Sequence, residues 1–119
     1  MCPLPSIFDG PQAYDEGNLN WLAAYEVEPS TFVVALRAFG KMDPTLSPEA
    51  AYRRLASGAS DAFESYLAKH GIAAPSVIVD VGCSTGISSR WLAGIYTEAS
   101  ITGIDLSPYF LAVAEWEER

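Results

Sequence analysis

Positive charge is scarce in this 119-residue chain: seven Lys and Arg stand against 15 Asp and Glu, and no base occurs before Arg37. Binding to DNA, RNA or an anionic membrane surface depends on clustered Lys and Arg, and the single adjacent pair is Arg53 and Arg54. No nucleic-acid or membrane partner is therefore expected. The base-free start also lacks the positive region of a secretory signal and the arginines of a transit peptide. Cysteine is as sparse, since Cys2 and Cys83 give neither a disulfide framework nor a zinc spacing. The expectation is a soluble intracellular protein without metal, cytoplasmic in the first instance, with an organelle left open by any start upstream of Met1. No apolar run approaches the roughly 18 residues of a membrane span. The one histidine, His70, precedes Gly71 and fits a helix end, where the dipole favours it.

What is present is globular: 50% of residues are apolar, 12% aromatic and 18% charged, enough for one modest domain. The texture divides the chain into residues 1–74 and 75–119. Met1 to Gly17 (MCPLPSIFDGPQAYDEG) has no regular period and reads as an irregular arm. Asn18 or Asn20 is expected to cap a short helix through Trp21, Leu22 and Tyr25 that stops near Pro29. Pro29 then opens a second short helix, Ser30 to Phe39, with Gly40 as its stop. Ser47-Pro48-Glu49 is a further start signal. The stripe Tyr52, Leu55, Ala59, Phe63, Tyr66 keeps helical phase across Gly58, so one helix to about His70 is favoured over two shorter ones.

After Pro75 the sequence turns to short apolar runs. Val77 to Val81 (VIVDV) is nearly continuous and β-branched, which suits a strand buried on both faces of a parallel sheet. GCSTG follows at once. Ile87, Trp91 and Ile95 mark a helix, Ile101 to Asp105 a second strand, and Ser107-Pro108 the cap of a helix over Tyr109 to Trp116. Strand, glycine loop, helix, strand, helix is a βαβα unit, for which a right-handed crossover is expected.

The logic of the loop is steric first. Gly82 and Gly86 remove the Cβ atoms that would block a strand turning directly into a helix and a ligand approaching its backbone. Asp105, 19 residues after Gly86, places a carboxylate at a strand tip, where it can accept both hydroxyls of a ribose. A dinucleotide loop has glycines at relative positions 1, 3 and 6, whereas Gly82, Ser84 and Gly86 occupy 1, 3 and 5, with Ile87 at the sixth. The order Asp80, Val81, Gly82, Cys83, Ser84, Thr85, Gly86 resembles motif I of the class I S-adenosylmethionine-dependent methyltransferases. The likeness continues through ITGIDLSPYFLAVAE and covers about Pro75 to Glu118.

The resemblance implies an α/β fold in which N-terminal helices precede the first βαβα part of a Rossmann-like methyltransferase. It implies S-adenosyl-L-methionine as cofactor and a small molecule as methyl acceptor. Gly82, Cys83, Ser84 and Gly86 would cradle the methionine end of the cofactor, with Asp80 near its amino group, Asp105 on the ribose and Leu106 beside the adenine. Ser84 departs from the pattern by replacing its middle glycine. Tyr14, Trp21 and Tyr25 have two readings, as a lid over the cofactor or as ordinary packing, and Tyr14 is the first to test. Cys83, with no histidine near it, is expected to line the loop rather than act as a nucleophile.

The family sheet has seven strands, and two are readable here. The expectation is a truncated sheet with an open edge at VIVDV, low stability alone, no assignable catalytic base, and activity that the resemblance does not secure for this form. Glu115, Glu117 and Glu118 at a helix C-terminus, where the dipole disfavours anions, point the same way. Two rival readings remain: an NAD(P)-dependent oxidoreductase, disfavoured by the glycine spacing, and a non-catalytic fragment that associates through its open sheet edge.

Overall fold

The structure, a computed structural model, describes residues 17–119. Tyr14 and the rest of the N-terminal arm lie outside the described residues. Four helices and two strands follow in the order α1 (Trp21–Phe39), α2 (Pro48–His70), β1 (Val77–Val81), α3 (Ile87–Ile95), β2 (Ser100–Ile104) and α4 (Pro108–Glu117). The fold is mixed α/β, with β1 and β2 paired in parallel and Asp80 level with Gly103.

The capping signals act where the sequence puts them. The Asn20 side chain accepts the Ala23 amide, Ser47 accepts that of Ala50, and Ser107 that of Phe110. Gly71 ends α2 in the left-handed conformation, with φ at 62°. The α2 stripe runs unbroken through Gly58, as one helix.

The two helices expected on either side of Pro29 are instead one, with Pro29 inside α1. Proline in a helix interior costs about 3 kcal/mol, because its missing N–H leaves the carbonyl four residues back unpaired. Packing offsets that cost. Ala23 and Ala24 before Pro29 and Ala35 after it are all buried, so a break would detach one half of the helix from its neighbours.

α1 packs on α2 and on α4. Phe32 stacks on Tyr52 at 4.3 Å between ring centroids, and Tyr52 meets Trp91 of α3 edge-on at 5.3 Å. A second cluster joins Ala23 and Ala24 to Phe110 of α4, with Val27, Tyr109 and Val113 around it. Alanines make up most of the buried hydrophobic positions, while the aromatic rings between the helices stay partly exposed, so little apolar area is fully buried.

β1 is not buried on both faces as its composition suggests. Its exposure alternates, and Val77, Val79 and Val81 are 69%, 57% and 77% exposed. The cause is topological: among the described residues β1 has one strand neighbour, β2, and α3 packs against β2. β2 runs from Ser100 to Ile104, one residue earlier at each end than its apolar pattern suggests, so Asp105 stands just past the strand.

Candidate functional site

The chain leaves β1 at Gly82 and enters α3 at Ile87, and three of the five loop residues adopt positive φ: Gly82 (78°), Ser84 (54°) and Gly86 (79°). Two of them are glycine, for which this backbone carries no steric cost; Ser84 bears a Cβ there, which does. A Cβ on Gly86 would come within 3.3 Å of Ala114 in α4, whereas one on Gly82 would meet nothing within 4 Å. A Cβ at Gly86 would thus be crowded, since Arg90 and Ala114 would have to give by a few tenths of an ångström, whereas Gly82 faces open space.

Hydrogen bonds hold the loop against the end of β2. The amides of Gly82 and Cys83 both donate to the Ile104 carbonyl, at 2.7 and 3.1 Å. The Ser84 amide donates to Asp105 Oδ2 at 2.9 Å, and the Ser107 amide to Asp105 Oδ1 at 2.8 Å. One carboxylate therefore ties the middle of the loop to the start of α4. The buried Ser107 hydroxyl donates to the Asn18 carbonyl at 2.8 Å, which anchors the entry to α1 on the same cluster.

Asp80, at the end of β1, accepts the hydroxyls of Ser88 and Ser89 on one oxygen, at 2.6 and 2.7 Å. It pins the first turn of α3, whose N-cap Gly86 offers no side-chain bond. Cys83 is 3% exposed and points inward, toward the neighbouring strand. Burial, reinforced by the carboxylates of Asp105 and then Asp80, pushes its thiol above the ordinary value, the reverse of what a nucleophile requires.

Gly103 is the residue that sequence reasoning missed. A Cβ there would lie 2.8 Å from Cys83 Sγ and 3.1 Å from Ser89 Oγ, so the strand must be bare for the loop cysteine to seat. A glycine inside an apolar strand is a signal of such close approach.

Leu106, next to Asp105, is 98% exposed. Trp21 stacks on Tyr25 and meets Tyr109 of α4 edge-on at 5.1 Å, and both Trp21 and Tyr25 keep substantial exposure. The part of α1 facing the loop is a different one. Glu26, Ser30 and Thr31 line a cavity of about 360 Å³ that also touches Ser84 and Phe110. A larger cavity, about 600 Å³, lies between α2 and α3, away from Asp105. Among the described residues no group of three or more His, Cys, Asp and Glu is placed to hold a metal, and no helix is long and apolar enough to cross a membrane.

The segment that builds this loop and strand tip has recognisable relatives. A family of methyltransferase domains matches residues 78–118. Over 48 residues the chain is 48% identical to the trans-aconitate 2-methyltransferase of Methylobacterium nodulans, covering 40% of this chain and 19% of that protein. Residues 78–118 are thus similar to part of a methyltransferase domain. Over 38 residues the chain is also 47% identical to an uncharacterised phycocyanin operon protein W of Pseudanabaena tenuis, covering 32% of this chain and 36% of that protein. The chain therefore spans well under half the length of either curated relative. No solved structure matches it. Within the matched segment fall Asp80, the whole glycine loop, Asp105 and Leu106, while α1 and α2 precede it.

Proposed function

We propose that this chain carries the cofactor-binding part of a class I methyltransferase that uses S-adenosyl-L-methionine and transfers its methyl group to a small molecule. The observation that carries the reading is the joining of a left-handed glycine loop to a strand-tip carboxylate through the Ser84 to Asp105 hydrogen bond. That bond puts a backbone open to close approach beside an acid suited to a sugar.

In this reading the loop from Gly82 to Gly86 holds the methionine end, with the open space above Gly82 admitting it. Each Asp105 oxygen accepts one backbone N–H and retains a second lone pair, so both can still receive ribose hydroxyls. Exposed Leu106 offers an apolar side to the adenine. Cys83 and Asp80 act from beneath, one seating the loop on β2 and the other fixing the start of α3. The sulfonium of the cofactor supplies an electrophilic methyl group, so the protein's part is chiefly to position it in line with an acceptor at about 3 Å. A small acceptor accords with the lack of basic clusters and with the name of the Methylobacterium relative.

Calorimetric titration with S-adenosylhomocysteine, with NADH as the comparison, tests this. Binding of the first without the second is expected. Binding of NADH with no response to S-adenosylhomocysteine would return the site to the oxidoreductase reading.

A second reading, self-association through the sheet, is favoured by the exposed Val77, Val79 and Val81. Sedimentation velocity across a concentration series should then show a dimer that Val79→Lys shifts toward monomer. An unchanged distribution removes this reading and leaves the first intact.

A further inference from the structure

The glycine loop is held from two sides. Toward β2, the amides of Gly82, Cys83 and Ser84 are bonded to Ile104 and Asp105. Toward α3, the Arg90 guanidinium donates from Nη1 to the Thr85 carbonyl at 3.0 Å. Thr85 is 2% exposed, so its carbonyl needs a partner within the protein, and a side chain one turn into α3 reaches back to supply it. The peptide fixed in this way is the one that enters Gly86, whose φ of 79° lies where only glycine turns without steric cost. Nη1 is near enough that a Cβ on Gly86 would come within 3.2 Å of it.

We propose that Arg90 is the positioning residue for the carboxylate at the amino-acid end of the ligand; this rests on the S-adenosylmethionine reading above. It keeps the Thr85 carbonyl on the α3 side, so that this partial negative charge is not presented to the ligand, and it sets a positive charge behind a loop that has none of its own. Arg90 is the one Lys or Arg in residues 78–118, and among the described residues it enters no ion pair. The acids beside the loop work against an anion there: Asp80 stands two residues before Gly82, and Asp105 accepts the Ser84 amide. In a chain of formal charge -8, an unpaired guanidinium bonded to the loop backbone is the group that offsets them. Its placement depends on the N-terminal helices as well. Arg90 and Trp91 line the cavity between α2 and α3, where Trp91 meets Tyr52, and Tyr52 stacks on Phe32 of α1. The two helices that precede the matched segment thus brace the residue that holds the loop.

The test compares S-adenosylhomocysteine with its decarboxylated analogue, which keeps the nucleoside, the thioether chain and the ammonium. Calorimetric titration of the chain should show Arg90→Met weakening S-adenosylhomocysteine on the order of tenfold, with the analogue changed less than about twofold. Arg90→Lys, which keeps the charge, should retain most of the affinity. Circular dichroism melts check the fold of each variant, and should Arg90→Met not fold, Arg90→Gln carries the same comparison. Equal affinity of wild type and the neutral variant for S-adenosylhomocysteine overturns the assignment while leaving the cofactor reading standing. So does a parallel loss for both ligands, which would make Arg90 a support of the fold and nothing more. A wild-type chain that binds neither ligand overturns both proposals together.

Discussion

Asp105 accepts the amide of Ser84 at 2.9 Å, so the acid at the tip of β2 and the one non-glycine residue in the left-handed region among the described residues belong to a single clasp. The second Asp105 oxygen takes the Ser107 amide. Asparagine at this position keeps one acceptor and turns an NH2 group toward the other N–H. Asp105→Asn should therefore cost about 1–3 kcal/mol, lowering the thermal midpoint by roughly 4–8 °C per kcal/mol in a domain near this size. A circular dichroism melt measures it, and an unchanged midpoint would show that the clasp contributes nothing to folding.

The fit of Cys83 against β2 is as specific. Gly103→Ala would force a Cβ to 2.8 Å from Sγ, and overpacking of this kind costs about 1–3 kcal/mol. Cys83→Ala in the same chain should recover part of the loss but not all of it, since Cys83 Cβ and Ser89 Oγ would still lie at 3.0 and 3.1 Å. A double-mutant cycle in urea gives the coupling. Strict additivity would mean that the two residues do not meet.

How much of this was legible depends on how local each cause is. The caps at Ser47 and Ser107, the stop at Gly71 and the turn from Gly82 to Gly86 depend on a few consecutive residues, and the structure has them where the sequence puts them. Pro29 was misread because its local preference to end a helix is overridden by burial of alanines on both sides of it. The valines of β1 read as doubly buried because composition reports what a strand could pack against, not whether a neighbour is there. Gly103 escaped notice because its reason for being glycine lies in the loop that follows the adjacent strand, 20 positions away at Cys83. A greater separation in sequence, more than 50 positions from Ser84, hid Glu26, Ser30 and Thr31: Trp21 and Tyr25 are the conspicuous aromatics of α1, yet its cavity-lining side chains are smaller or polar.

The raised Cys83 thiol sets a pH dependence whose sign follows from its burial. The folded chain keeps this proton longer than the unfolded one, whose thiol titrates near about 8.5. The stability it contributes is complete below that pH and is lost as pH rises toward the folded value. The urea midpoint should fall between pH 8 and pH 10 more steeply in the wild type than in Cys83→Ala. Parallel curves would place the thiol in an environment much like water.

The binding site itself is tested most directly by two-dimensional amide NMR during titration with S-adenosylhomocysteine. The account predicts saturable shifts concentrated at Gly82 to Gly86 and at Asp105 to Ser107, with Gly82→Ala weakening them. A folded chain whose loop and strand-tip amides stay fixed at millimolar ligand, or shift no more than those facing the cavity between α2 and α3, would contradict it.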